Sequence, residues 1–370
     1  RRRGVRDRMR VLHRALGLAA GLLLVVTGLS GSALVFRAEI DAALNPHLLR
    51  VVPAAGRAPL EPMLERVRQA YPDEAPTRLR MPQRADGTYE VWLGAAPSRY
   101  VYADPYRDGA ILGARRPTEF LTGWLFLLHS HMLAGETGHL AAGVGALVLV
   151  LLSISGLVAW WPRRAPWRAW RQWRAALTVM RGAGVARTIY DLHRAVGLYA
   201  SALLLMAGIT GASLVFHEAF ERAAHWVTAS APPARTAPVA VRGGAPYLPA
   251  DTLLAIAERA QPGGMISYLY FPAAAGQTFR VRKRLPGEEH PNGKSFVHVD
   301  PSTGRVLLVE NGAMAPRGAR LYSILYPLHI GVLGGTATRL LAVAVGLSLP
   351  LLAVTGAAVW WRRGRRRTAA

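Results

Sequence analysis

Four of the eleven histidines stand at positions that recur along the chain. His13 and His193 lie 180 residues apart within the sequence Leu-His-Arg-Ala, and His129 and His329 lie 200 residues apart, each after a leucine. The sequence contains no cysteine, which excludes thiolate metal sites, iron–sulfur clusters and cysteine nucleophiles. Any metal or metal-containing cofactor must therefore be bound by imidazole, carboxylate, thioether or backbone groups.

Four apolar blocks adjoin these histidines, and each is long enough to cross a bilayer, which takes about 20 residues of helix. The blocks are residues 15–36, 139–161, 195–216 and 340–361. None has Asp, Glu or Lys in its interior, and all are rich in the small residues that let membrane helices approach closely. The first block lacks the short apolar region and cleavage motif of a secretory signal, so we expect a retained helix.

The distribution of charge predicts the orientation of these helices. Residues 1–14, 162–187 and 362–370 together hold 19 arginines and one acidic residue, Asp7. By the positive-inside rule these segments, and both termini, face the cytoplasm. Residues 37–120 and 217–320 then lie on the outer side. The net charge of +23 thus indicates topology and contact with membrane lipid rather than nucleic-acid binding.

The chain repeats a unit of helix, outer domain and helix. Residues 12–36 match residues 192–216 at 14 of 25 positions, and a second match relates residues 121–161 to 321–361. The outer domains are predicted to be small α+β modules, with helices at 60–70 and 249–260. Short strands are predicted at 88–93, 100–103, 266–271, 278–281 and 295–299. Residues 232–246, rich in Ala, Pro and Gly, indicate a linker.

The repeat arranges the four histidines in two layers. The first and third helices both leave the cytoplasm, so His13 and His193 share one layer. His129 and His329 precede the second and fourth helices and share the other. Two imidazoles from different helices are the ligand set of a bis-imidazole haem, and a flat macrocycle packs well between membrane helices. The sequence therefore predicts two haems of b type, because covalent attachment needs cysteine.

Other residues are predicted to assist or to compete with these ligands. Arg14 and Arg194 directly follow the first pair and are expected to meet haem propionates. His131 competes with His129, although its repeat counterpart is Gly331. Four glycines are expected to leave room for the macrocycle: Gly17, Gly135, Gly197 and Gly335.

The remaining histidines have no such pattern. His139 opposes Arg339 in the repeat, so we expect an interfacial or propionate-binding role. His217 and His225 are expected at the surface, and His47, His290 and His298 are poor candidates for metal sites.

Several segments resemble the PepSY-associated transmembrane family of bacterial inner-membrane proteins, which includes haem-containing ferric-siderophore reductases. The segments are LHRALGL and LHRAVGL, TGLSGSALVF followed by RAEIDAALNPHLL, LHSHMLAGETG ending in SGLVAWWPRR, and LHIGVLGGTATRLL ending in TGAAVWW. The resemblance covers almost the whole chain. It implies an integral-membrane all-α core of four transmembrane helices with two periplasmic α+β PepSY-like modules in a tandem repeat. It also implies haem ligation by His13, His193, His129 and His329, with His131 left open.

The expected organisation follows the repeat. It runs through a cytoplasmic tail and first membrane helix (1–36), the first periplasmic module (37–120), an interfacial segment and second helix (121–161), a cytoplasmic basic loop (162–187), the third helix (188–216), the second periplasmic module (217–320), an interfacial segment and fourth helix (321–361), and a cytoplasmic tail (362–370).

Two functions of different classes fit the sequence. The first is a membrane oxidoreductase that passes electrons across the inner membrane and reduces a ferric siderophore or chelate in the periplasm. The chain has no G-x-G-x-x-G motif or P-loop, so a quinol or a separate cytoplasmic reductase is expected to donate the electrons. The second is a PepSY-type membrane scaffold or regulator that binds a protease or peptide without redox activity. A haem spectrum separates the two.

Overall fold

The structure, a computed structural model, describes residues 4–94, 99–161, 170–180, 182, 184–232 and 246–368. The chain forms two compact units. The helical unit comprises Arg1–Phe36, Leu125–Ala219 and Leu328–Ala370, and the sheet unit comprises Arg37–Trp124 and Phe220–Pro327. Most of the expected linker at 232–246 lies outside the described residues, as do residues 162–169 of the expected basic loop.

The helices in chain order are α1 (Val5–Leu34), α2 (Arg37–Leu44), α3 (Pro46–Leu49), α4 (Leu60–Ala70), α5 (Leu121–His131), α6 (Gly135–Trp160), α7 (Trp170–Leu177), α8 (Val185–Val215), α9 (His217–Val227), α10 (Ala250–Ala260), α11 (Arg317–His329) and α12 (Gly335–Thr368). The strands are β1 (Pro76–Arg80), β2 (Tyr89–Leu93), β3 (Arg99–Ala103), β4 (Ile111–Arg115), β5 (Met265–Tyr270), β6 (Phe279–Arg284), β7 (Ser295–Val299) and β8 (Val306–Glu310). Short 3-10 turns occupy Pro117–Glu119 and Gly312–Met314.

Four helices of the helical unit, α1, α6, α8 and α12, are long and apolar enough to cross a membrane. Helices α1 and α8 begin about ten residues before the predicted apolar blocks. Arginine is a good helix former, so the basic segments extend the helices beyond the apolar residues. The four helices contact one another in the cyclic order α1, α6, α8, α12.

Small residues set the close approach of these helices. A methyl group built on Gly28 of α1 would lie 2.6 Å from the carbonyl oxygen of Gly346 in α12. On the other side, a methyl group on Gly208 of α8 would lie 2.9 Å from the carbonyl oxygen of Ala146 in α6. The backbones therefore pack at distances that only small residues permit.

The sheet unit contains one eight-stranded antiparallel sheet with the strand order β4-β3-β2-β1-β5-β6-β7-β8. Strands β1 and β5 pair antiparallel, with Leu79 opposite Leu269. The two α+β halves therefore form one sheet, which corrects the expectation of two modules. Helices α4 and α10 cover one face, where their apolar side chains join those of the strands in a single buried core.

The predicted helices of this unit are confirmed, and the five predicted strands correspond to β2, β3, β5, β6 and β7. Strands β1, β4 and β8 were not predicted. Strand β1 is only five residues long, has Leu79 between two arginines, and pairs with β5 from the distant half of the chain.

Helices α4 and α10 cap each other. The carboxylate of Asp251, in the first turn of α10, accepts hydrogen bonds from the backbone N–H groups of Leu60 and Glu61 at 2.8 and 2.9 Å. The Glu61 carboxylate in turn accepts one from the N–H of Ala250 at 2.6 Å. Each carboxylate thus satisfies orphan donors at the start of the opposite helix.

Candidate functional site

The structure brings the four recurring histidines together as two pairs. His13 of α1 and His193 of α8 have ring centroids 6.2 Å apart, with their planes at 77°. His129 of α5 and His329 of α11 also have centroids 6.2 Å apart, with their planes at 46°. All four lie within the helical unit. Each pair takes one member from each half of the chain.

Each of these histidines packs on a Ser-Gly or Thr-Gly dipeptide of a neighbouring helix. The dipeptides are Ser155-Gly156 on α6 for His13, Thr355-Gly356 on α12 for His193, Ser30-Gly31 on α1 for His129, and Thr210-Gly211 on α8 for His329. A methyl group built on the four glycines would lie between 2.8 and 3.3 Å from the Cε1 atom of the facing ring. The missing side chain therefore provides the space that the imidazole occupies.

The hydroxyl groups of the dipeptides hold the Nδ1 atoms of the rings. The Nδ1 to oxygen distances are 3.1 Å for His13, 3.0 Å for His193, 3.2 Å for His129 and 3.0 Å for His329. Each hydroxyl donates its own hydrogen to a carbonyl of the preceding turn. Its oxygen is then free to accept from an Nδ1–H group.

Backbone carbonyls fix the same tautomer. The Nδ1 of His13 lies 3.1 Å from the carbonyl oxygen of Leu152, and that of His129 lies 2.9 Å from the carbonyl oxygen of Thr27. A carbonyl oxygen only accepts, so Nδ1 carries the proton and Nε2 retains its lone pair. A lone pair on Nε2 with a bonded Nδ1–H is the arrangement of metal-ligating histidines.

The paired histidines have the donor atoms that a haem held by two imidazoles would need. In the part of the chain that the structure describes, no group hydrogen-bonds the Nε2 atom of His13, His129, His193 or His329. The ring centroids are 6.2 Å apart in both pairs, which would leave room for one metal ion between the two imidazoles.

His131, the alternative to His129, lies apart from the pairs. Its ring stacks on His139, with centroids 4.7 Å apart and planes at 22°. The Nδ1 of His131 lies 2.7 Å from the hydroxyl of Ser130, and the Nδ1 of His139 lies 2.9 Å from the carbonyl oxygen of the same serine. It is therefore His129 whose ring faces His329.

The two arginines expected to meet propionates have different surroundings. Arg194 forms an ion pair with the buried Asp191 at 3.0 Å and donates to the carbonyl oxygens of Ala175 and Thr178. Its guanidinium thus links the last turn of α7 and the residue that follows it to α8. Arg14 is exposed and makes no hydrogen bond or ion pair with any described residue. Binding of a propionate stays a prediction that rests mainly on Arg14.

The glycines that face the rings are not those predicted from the sequence. Methyl groups on Gly17 and Gly197 would meet leucine side chains at 3.8 and 3.5 Å, which is ordinary contact. Gly135 and Gly335 have φ of 57° and 65° at the starts of α6 and α12, so they provide the backbone conformation of the turns that precede these helices. The Ser/Thr-Gly dipeptides recur at the same offsets as the histidines, and that recurrence was a usable signal.

Three histidines of the sheet unit, His225, His290 and His298, are buried. Among the described residues, no group of three or more His, Asp or Glu side chains is arranged to hold a metal ion. His225, predicted at the surface, is instead buried, and its Nδ1 lies 3.0 Å from the hydroxyl of Ser230. His298 is also buried and has its Nε2 3.3 Å from a Glu310 carboxylate oxygen.

Comparison with known proteins places the chain in a family of membrane proteins. No curated protein matches it. Residues 10–363 match the family described as PepSY-associated TM region, a match that covers nearly the whole chain and includes all four paired histidines. Together with the four apolar helices, this match indicates a multi-pass membrane protein. The chain therefore belongs to the PepSY-associated TM region family.

Proposed function

We propose that this protein is a haem-b oxidoreductase of the bacterial inner membrane that reduces a ferric siderophore or another ferric chelate in the periplasm and releases Fe²⁺. The observation that supports this proposal is the pair of facing imidazoles, present twice, with every Nδ1 bonded and every Nε2 available. When bound, haem would supply reversible one-electron chemistry at its iron.

The side chains have defined tasks in this proposal. His13 and His193 would hold one haem, and His129 and His329 would hold the other. The hydroxyls of the Ser/Thr-Gly dipeptides keep the proton on Nδ1 and fix the ring orientation. Such hydrogen bonds raise the basicity of the ligating nitrogen. The glycines leave room for the rings: a methyl group would lie 2.8 Å from the facing Cε1 atom at Gly31 and 3.0 to 3.3 Å from it at the other three.

The direction of electron flow is part of the proposal. A quinol or a separate cytoplasmic reductase supplies the electrons, because the sequence has no nucleotide-binding motif. Ferric iron in a siderophore is held by hard oxygen donors. Adding one electron lowers the charge of the metal and weakens those bonds, so release of Fe²⁺ follows reduction.

The first test is the haem content of the purified protein. The reduced protein should show the sharp absorption bands of paired axial imidazoles, with two haems per chain, and acid–acetone should extract all of them. His131→Ala serves as the matched control and should retain both haems. Haem that stays on the polypeptide would contradict the b-type assignment. A total well below one haem per chain in fully loaded protein would contradict the oxidoreductase and favour the scaffold function.

The second test concerns the substrate. The protein is first reduced in oriented vesicles. A ferric siderophore added to the periplasmic face should then reoxidise the protein, and a ferrous chelator should trap the Fe²⁺ formed. The same compound added to the cytoplasmic face should have no effect. Reoxidation from the cytoplasmic face alone would exclude a periplasmic reductase.

A further inference from the structure

One face of the sheet alternates arginine and aromatic side chains across its central strands. Cross-strand pairing places Tyr100, Trp92, Arg78, Tyr270 and Arg280 in one row, and Tyr102, Glu90, Arg80, Tyr268, Arg282 and Phe296 in the next. We call these two rows the arginine–aromatic face. Helices α4 and α10 pack with the apolar residues of the opposite face, so the side chains that alternate with the core lie on this one. Tyr102 is buried there, whereas Arg280 is exposed.

Arg78 and Arg280 have their guanidinium groups over aromatic rings. The guanidinium carbon of Arg78 is 4.5 Å from the ring centroid of Trp92 and 4.8 Å from that of Tyr270. That of Arg280 is 4.7 Å from the same tyrosine. Stacking fixes the plane of a guanidinium and leaves the N–H donors along its edge available for a further partner.

The arginine–aromatic face has an excess of positive charge. It carries four arginines and one carboxylate, Glu90, which lies 3.9 Å from Arg80. Arg282 donates to the carbonyl oxygen of Gly293 at 2.7 Å. Arg78 and Arg280 form no hydrogen bond or ion pair within the described part of the chain. Arg280 is exposed and Arg78 is partly exposed, so both are accessible to a ligand.

We propose that the arginine–aromatic face binds an anionic ferric chelate of the catecholate type, with Arg78 and Arg280 donating to its oxygen atoms. A catecholate ligand presents paired negative oxygens, which match the fork of a guanidinium, and flat aromatic rings, which stack on arginine and tyrosine. Uncharged hydroxamate chelates offer neither feature. The choice of ligand class rests on the proposed function, whereas the surface itself is independent of the histidine pairs.

The test uses gallium(III) complexes, because Ga³⁺ has the charge of Fe³⁺ but is not reduced under these conditions. Calorimetric titration of the full-length protein in nanodiscs compares trianionic gallium tris-catecholate with an uncharged gallium trishydroxamate. The trianionic complex should bind more tightly, and its affinity should fall with added salt. Arg78→Gln and Arg280→Gln should each weaken binding about tenfold, as expected for loss of a charged hydrogen-bond donor.

The matched control is Arg259→Gln, which removes the same charge from an exposed position on α10. It should leave the affinity unchanged. Arg78→Lys should bind with intermediate affinity, because it keeps the charge and loses the fork. Equal weakening by Arg259→Gln would show that the effect depends only on net charge. Equal binding of the uncharged complex would show that the surface has no preference for catecholates. Either result would overturn the inference.

The same samples distinguish this inference from the proposed function. Their haem content is read from the absorption spectrum before titration. Protein without haem that binds gallium tris-catecholate through Arg78 and Arg280 would refute the oxidoreductase and leave the binding surface intact. Haem-replete protein that does not bind the complex would refute only the binding surface. Arg280 is exposed, so its substitution should fold normally even if Arg78→Gln does not.

Discussion

The ring of His129 occupies the space that a side chain on Gly31 would fill: a methyl group there would lie 2.8 Å from Cε1 of the imidazole. The hydroxyl of the preceding residue, Ser30, lies 3.2 Å from Nδ1 of the same ring. Two adjacent residues of α1 thus fix both the position and the tautomer of one histidine on another helix. The same relationship holds for the other three paired histidines.

Enlarging Gly31 should displace His129. Gly31→Val introduces methyl groups into space that the imidazole occupies, so the haem held by His129 and His329 should be lost while the other is retained. Gly17→Ala is the control, since its methyl group would come no closer than 3.8 Å to its nearest contact. Haem stoichiometry and the absorption spectrum measure both. A Gly31→Val protein with two haems and an unchanged spectrum would contradict the proposed role of the glycine.

Removing a hydroxyl should loosen a haem without removing its ligand. Thr355→Val preserves the shape of the side chain and deletes the acceptor for Nδ1 of His193, so haem affinity should fall roughly 10- to 100-fold. Thr355→Ser keeps the hydroxyl and should behave like the wild type. The rate of haem transfer to an excess of apomyoglobin reports the difference. If the valine and serine variants lose haem at the same rate, the hydroxyl has no such function.

Single histidine variants should fall into two spectral classes. His13→Ala and His193→Ala should remove one haem, and His129→Ala and His329→Ala should remove the other. The reason is that the ring centroids within each pair are only 6.2 Å apart. The difference spectra within a class should superimpose. Loss of an identical species from His13→Ala and His329→Ala, with no further loss in the double variant, would show that the pairs are assigned wrongly.

The reciprocal capping of α4 and α10 should contribute to the stability of the protein. Asp251→Ala removes the acceptor for the N–H groups of Leu60 and Glu61 and should lower the free energy of unfolding by about 1–2 kcal/mol. Asp251→Asn retains an acceptor and should cost less. Denaturant titration followed by tryptophan fluorescence gives both values. An alanine variant as stable as wild type would mean that water satisfies these donors equally well.

Acid should destabilise the sheet unit through His290. Burial, together with the nearby cations Arg282, Lys294 and Arg284, lowers the pKa of this histidine from 6.5 to about 3. Below about pH 6.5 the unfolded chain takes up a proton that the folded chain does not, so stability falls as pH falls. At pH 5 the loss from this group should be about 2 kcal/mol.

His290→Phe is the variant that tests this dependence. It preserves the ring that stacks on Tyr326, with centroids 5.1 Å apart, and removes the titrating group. Its free energy of unfolding should be lower at neutral pH, because the N–H of Asn292 loses its acceptor, but should change less between pH 7 and pH 5. An unchanged pH dependence in this variant would assign the acid sensitivity to other groups.

The sequence predicted the long helices and the histidine pairs because both depend on local patterns that are repeated. The apolar span between His13 and Phe36 is recognisable without any partner. Strand β1 is not recognisable in this way, because its two arginines are typical of a loop. It becomes a strand through pairing with β5 from the other half of the chain. Likewise, spacing alone did not separate His129 from His131. Their distinction depends on which ring reaches Ser30 and Gly31 on α1.

The pairing of β1 with β5 makes each half of the chain incomplete by itself. A fragment ending before α8 would expose the edge of β1, leave α4 without the carboxylate of Asp251, and contain only one member of each histidine pair. An open strand edge invites association with another strand. A half-length polypeptide of this kind could complete an imidazole pair only by associating with a second chain, so each pair in the present chain depends on both of its halves.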